Sequence, residues 1–195
     1  LSQPIAQVLL SADALDSKSG YQNAQATFAE LLRRGVIPVV NENDSVAISE
    51  LRFGDNDSLS ALVATLVGAS HLFLATDVDA LYTSNPHAAP VPGEPPAEPI
   101  REPADLSDAL ARAEEAAAAT SGGGGGSQWG TGGIVTKLRA AQLATAAGTA
   151  TVILSSQRPD AIGAILEGAR DVGTVILPSQ HIVTSRKRWI MALPP

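Results

Sequence analysis

The sequence predicts an α/β domain: a mostly parallel sheet with helices on both faces. Short apolar runs recur at Ile5–Leu10, 36–40, 72–75 and 151–154, the second of them rich in β-branched residues. Segments with helical spacing of apolar residues separate them, and Gly35, Gly68 and Gly148 stand where those helices should stop. With 195 residues there is room for one domain with a sizeable core, or for one domain and a piece of another.

Each element follows from its residues. Ile5–Leu10 is the first strand, and the helix after it places Ala24, Phe28, Leu31 and Leu32 on one face before Gly35. Residues 36–40 are nearly all apolar, which predicts a parallel strand buried on both faces. A polar stretch over 41–57 precedes a helix over 59–67, and a strand follows over 72–75. Pro90, Pro92, Pro95, Pro96, Pro99 and Pro103 make 84–103 an extended surface excursion away from the functional centre, followed by an Ala/Glu/Arg helix to about Thr120. Residues 122–126 are all glycine and read as a flexible linker. Gly130, Gly132 and Gly133 then open a helix over 136–147, and a strand over 151–154 and a last helix ending near Gly168 complete the series. No internal repeat is present.

Composition narrows the function. Lys and Arg total 13 against 20 Asp and Glu, so the formal charge of −7 disfavours nucleic-acid partners. Hydrophobic residues reach 45%, which argues against disorder throughout, and no apolar run approaches the roughly 18 residues of a membrane helix. The absence of cysteine excludes disulfides, thiolate metal sites and a cysteine nucleophile, and suits a reducing, cytoplasmic setting. The chain enters an apolar strand almost directly from Leu1 without a charged leader, and so reads as a fragment.

Three polar clusters lie where strands end or helices begin. Asn41-Glu-Asn-Asp44 follows a strand; it is either a turn, because Asn and Asp bond their own backbone, or a ligand-facing group. Gly54-Asp-Asn-Asp57 precedes a helix, for which Asp57 or Ser58 is the expected N-cap if the cluster has no other role. Gly130-Thr-Gly-Gly-Ile-Val-Thr-Lys137 combines close backbone approach with the unpaired N–H groups of a helix start, a setting for phosphate. Its glycine spacing, and Leu138 after Lys137, exclude a Walker A loop. His71 reads as a core-edge residue, His87 as a loop residue and His181 as a tail residue, so neither a histidine metal site nor a serine hydrolase is supported. Acids, amides, a glycine segment and one lysine suit phosphoryl transfer, which demands positioning and charge neutralisation above all.

These segments, with Thr76-Asp77 and Leu81-Tyr-Thr83 between them, resemble the glutamate 5-kinase branch of the amino acid kinase family, from about Ala6 to Ile190. The resemblance implies a three-layer αβα sandwich, N-terminally truncated, with residues 1–170 as the C-terminal portion of the kinase domain. Residues 171–195 would be a linker and the start of a PUA domain; Ser185-Arg-Lys-Arg-Trp-Ile190 resembles the approach to that module. The implied activity is ATP-dependent phosphorylation of the γ-carboxylate of L-glutamate, with Mg²⁺ carried mainly on the ATP phosphates. The rivals are another kinase of the fold, acting on acetylglutamate, aspartate, carbamate or UMP, and a non-catalytic module that binds glutamate or proline.

The resemblance also implies residue roles. Lys137 is catalytic, and Asp57 orders the catalytic lysines. Asp44, Asn56 and Asn41 bind glutamate, whereas Thr76, Asp77, Thr131, Gly132, Gly133, Ile134, Val135, Thr136 and Lys137 line the ATP site, with no protein metal site. It implies a homo-oligomer, feedback inhibition by proline, and glutamate-5-semialdehyde dehydrogenase as pathway partner. The chain departs from the family at Ala80, where glycine is usual, and at Asn85-Pro86. It also lacks the family's first strand, with a phosphate-binding glycine segment and a second lysine.

Overall fold

The computed structural model of the chain describes residues 2–46, 55–84, 95–120 and 131–178. β1 (Ile5–Leu10) pairs in parallel with β2 (Ile37–Glu42), Ile5 lying opposite Ile37 and Leu10 opposite Glu42. β3 (His71–Thr76) pairs in parallel with β6 (Ala150–Ser155), and β7 (Thr174–Ile176) adds to β6 antiparallel, in the order β3-β6-β7. A short antiparallel ribbon joins β4 (Leu81–Tyr82) to β5 (Pro99–Ile100).

The helices are α1 (Ala12–Asp16), α2 (Lys18–Arg33), α3 (Asn56–Val67), α4 (Leu106–Thr120), α5 (Thr131–Ala146) and α6 (Asp160–Leu166). Ser17 caps α2 by accepting the Gly20 N–H at 2.9 Å. Gly68 ends α3 at φ +65°, a left-handed cap that favours glycine. None of these helices is long and apolar enough to cross a membrane, among the described residues.

The layers follow from the side chains. Ala61 and Ala64 of α3 pack with Leu138, Ala140, Ala141 and Ala144 of α5 over Leu72, Leu74, Ile153 and Ile176 of the sheet. Small alanines let the two helices approach closely, and α4 covers them through Leu106, Ala109, Leu110 and Ala113. On the opposite face, Val152, Leu154 and Val175 meet Ala161 and Ile165 of α6. This is the αβα sandwich.

β1 and β2 differ. Val8, Leu10 and Val40 face Phe28 of α2 and Leu59, Leu62 and Leu66 of α3. Ile5, Leu9, Ile37 and Val39 on the other face stand 47–69% exposed. The expectation that the second strand is buried on both faces is therefore corrected: both faces are apolar, but only one is covered. Three further differences concern extent. α5 begins at Thr131 rather than Thr136, and the proline-rich excursion returns to the body as β5. Within the stretch read as linker, residues 174–176 form β7, buried throughout. The segment 185–190, His87, His181 and the glycine run 122–126 lie outside the described residues. His71 is exposed rather than at the core edge, stacked on Phe73 with ring centroids 6.0 Å apart.

Candidate active site

Close packing of α3 on α5 brings the first turn of α3 against Thr136 and Lys137 in the second turn of α5. Asp55, extended at φ −155° and ψ 159°, is the N-cap of α3: its carboxylate accepts the Ser58 N–H at 2.7 Å and the Ser58 hydroxyl at 3.0 Å. The expectation of Asp57 or Ser58 as the cap is thus corrected, and the physical consequence is large. With Asp55 satisfying the helix end, the Asp57 carboxylate is released to reach α5.

There Asp57 accepts hydrogen bonds from Lys137 Nζ at 3.2 and 3.3 Å and from the Thr136 hydroxyl at 2.8 Å. The Lys137 and Asp57 side chains are only 15% and 20% exposed. An ion pair this shielded has lost much of its hydration, so its geometry depends on the added Thr136 donor. Asp57 engages the ammonium with both oxygens, and a third ammonium proton is left for another anion. Thr136 Oγ1 also lies 3.0 Å from the Gly133 carbonyl, which ties this junction to the first turn of α5.

Thr131, Gly132 and Gly133 belong to that first turn, not to a loop before it. First-turn N–H groups have no partner within the helix, so glycine's poor helix propensity matters little there, and the positive end of the helix favours an anion. Among the described residues, a Cβ at Gly133 would meet no atom within 4 Å. Ile134 is half-buried and Val135 buried, and these two anchor the turn on the core.

Thr76 and Asp77 end β3. The Thr76 hydroxyl donates to Asp77 at 2.9 Å, and the Thr76 carbonyl accepts the Ser156 N–H at 2.7 Å. The chain then bends through Asp79 and Ala80 into β4. Tyr82 donates its hydroxyl to Asp79 at 2.7 Å, and this bond to a carboxylate holds the Tyr82 phenol above its usual range. No non-glycine residue among those described has positive φ, so Ala80, 1% exposed, occupies the family's glycine position without backbone strain.

Of the Asn41–Asp44 cluster, Asn41 and Glu42 lie in β2, and a turn over 44–46 follows Asn43. The Asn43 N–H donates to the Leu10 carbonyl at 2.7 Å, the Asn43 carbonyl accepts from Val46, and Ser45 donates to the Asn43 side chain at 2.6 Å. Asn41 and Asp44 are exposed, as is Asn56 at the start of α3. The described hydrogen bonds join Asp57, Thr136 and Lys137, and they do not tie Asn41 or Asp44 to that cluster. Gly54 and Gly130 lie outside the described residues. Sequence reasoning missed Asp55 as the cap; the signal was the Asp55-Asn-Asp-Ser58 spacing, an acceptor three residues before a backbone N–H.

The model of the amino acid kinase family matches residues 1–155. A glutamate 5-kinase of Synechococcus sp. (strain JA-3-3Ab) is 52% identical over 190 residues, which are 97% of this chain and 47% of that protein. The chain thus spans about half the length of the curated relatives it matches. Among solved structures, a carbamate kinase of Giardia superposes with a TM-score of 0.51 at 20% identity, over 80% of this chain and 48% of that one. UMP kinase from Ureaplasma parvum gives 0.50 at 16% identity, over 89% and 60%. The two superpositions bear on the fold alone.

Proposed function

The chain belongs to the amino acid kinase family, and on that premise we propose that the protein containing it transfers the γ-phosphoryl group of ATP to the γ-carboxylate of L-glutamate. The products are γ-glutamyl phosphate and ADP, and the reaction is the first step of proline biosynthesis. One observation carries the reading: Asp57 holds Lys137 at 3.2 Å near the start of a glycine-opened helix, and the Thr136 hydroxyl donates to the same carboxylate at 2.8 Å. The choice of glutamate is supported by 52% identity to a glutamate 5-kinase.

The chemistry suits these groups. A glutamate side chain has an ordinary pKa of about 4.3, so at neutral pH it attacks as an anion without a general base. One carboxylate oxygen bonds to phosphorus while the bridging P–O bond breaks, and ADP leaves with the electron pair. The main obstacle is repulsion between two anions. Lys137 and the backbone N–H groups at the start of α5 oppose it, acting most strongly where charge is shared between entering and leaving oxygens. Asp57 acts through Lys137 by fixing its position. Thr76 and Asp77 take the nucleotide side, and Asp44, Asn41 and Asn56 take the substrate, whose ammonium needs a carboxylate and whose carboxylates need amide donors. Mg²⁺ on the ATP phosphates supplies further neutralisation.

Further roles belong to the same proposal: a cytoplasmic homo-oligomer inhibited by proline, with glutamate-5-semialdehyde dehydrogenase consuming the product. An acyl phosphate hydrolyses readily in water, which supports a reductase that takes it up directly. The test is ADP release by the intact protein with glutamate, acetylglutamate, aspartate, carbamate and UMP in turn. Turnover with glutamate is expected. Preference for another acceptor overturns the substrate, and calorimetric binding of glutamate or proline without turnover overturns the enzyme.

A further inference from the structure

We propose that Thr174 is a positioning residue for the turn that carries Thr76 and Asp77, and that its hydroxyl sets the affinity of the site for ATP; this rests on the kinase reading above. Thr174 opens β7 and is 0% exposed. Its hydroxyl accepts the Leu81 N–H at 2.7 Å and donates to the Ile100 carbonyl at 2.5 Å. Leu81 and Ile100 lie opposite one another in the β4–β5 ribbon, so one hydroxyl links that ribbon to the main sheet. Both its donor and an acceptor lone pair are used.

Neighbouring contacts fasten the same place. Val175 N–H donates to the Arg101 carbonyl at 2.8 Å, and Arg101 donates to the Gly173 carbonyl at 3.2 Å. Gly173 sits at φ +72°, where a Cβ would stand 2.7 Å from the Ile153 carbonyl, so only glycine permits this approach of β7 to β6.

The consequence is geometric. Thr76 is fixed to β6 through its ladder with Ser155, and Leu81 is fixed to β6 through Thr174, itself paired with Ile153. Only Asp77, Val78, Asp79 and Ala80 lie between the two anchors. A bridge this short cannot keep its shape if one anchor moves. Without the hydroxyl, the buried Leu81 N–H and the half-buried Ile100 carbonyl each lose this partner, and the ribbon shifts to recover one. That shift is passed to Asp77.

Thr151 supplies an internal control. It is also 0% exposed, on the strand beside Thr174, but its hydroxyl has no hydrogen-bond partner among the described residues. In the intact protein, Thr174→Val is expected to raise the KM for ATP about tenfold and leave the KM for glutamate within about twofold. Thr174→Ser, which keeps the hydroxyl, should restore the ATP value, and Thr151→Val should change neither. Equal rises for both substrates, or no rise, overturn the proposal. If Thr174→Val does not fold, Arg101→Gln loosens the same ribbon and should raise the ATP KM about threefold; an unchanged value there also overturns it. Calorimetry of ATP without glutamate separates the two levels. Weakened ATP binding in Thr174→Val, with a wild type that turns over no glutamate, sinks the kinase reading and leaves the role of Thr174 standing.

Discussion

β1 pairs with β2, and β3 with β6, over six residues and in the same parallel sense, but β6 has five of its six residues buried while Ile5, Leu9, Ile37 and Val39 remain 47–69% exposed. Strand chemistry does not explain the difference, since both pairs are apolar on both faces. Helix coverage does: α3 and α5 lie on one face of the second pair and α6 on the other, whereas the first pair has only α2 and α3 on one face. The two halves of the proposed site inherit this contrast. Thr76 and Asp77 end a strand of a closed layer and adjoin a ribbon clamped by Thr174, whereas Asn41 lies within the open β2 and Asp44 in the turn that follows it. Among the described residues, the proposed nucleotide side is therefore held by contacts to the main sheet, and the proposed glutamate side is not.

The largest expected effect lies on the closed side. In the intact protein, Lys137→Ala should lower kcat about 100- to 1,000-fold, corresponding to about 3–4 kcal/mol of transition-state stabilisation, while changing the KM for glutamate little. Steady-state kinetics reads this directly, and an unchanged kcat would remove Lys137 from the chemistry. A smaller effect probes the closed layer itself. Val152, 0% exposed between β6 and α6, is nearly isosteric with threonine, so Val152→Thr adds little but a buried hydroxyl. It should cost the 195-residue chain about 2 kcal/mol in urea unfolding.

On the open side, Asp44→Asn removes a negative charge from an exposed turn while keeping its shape. The expected result is about a tenfold rise in the KM for glutamate and less than about twofold for ATP. Equal changes for both substrates would mean that the turn serves only the fold, and the contrast between the halves would fail.

Much of this was legible in the sequence because apolar period and glycine punctuation are local signals. The long strands, α2 and α3 rest on them, whereas the link between Asp57 and Lys137 comes from the family resemblance alone. What escaped depends on partners far along the chain. Thr174, Val175 and Ile176 are too few to show a period, and only pairing with β6 makes them a strand. Asp55 and Asp57 are equally good caps by type, and the backbone angles at Asp55 decide between them. The early start of α5 was hidden by glycines, whose low propensity carries little weight where N–H groups are unpaired in any case. The open face of β2 was hidden because a pattern of apolar residues states which faces can be buried, not which have a neighbour.

The smallest expected effect makes that last distinction measurable. Val39→Thr is the same chemical change as Val152→Thr, made on a strand of the same length and parallel sense, but Val39 is 53% exposed and lies opposite Gln7. An added hydroxyl there remains hydrated, so no buried polar group is stranded, and threonine is as well suited to a strand as valine. The change in unfolding free energy of the 195-residue chain should stay within about 0.5 kcal/mol. Because the side chains differ in so little besides the hydroxyl, the gap between the two variants measures the dryness of one face against the other. A loss at Val39 as large as the one at Val152 would mean that the outer face of β1 and β2 is covered after all, and the closed and open halves of the site would then be alike.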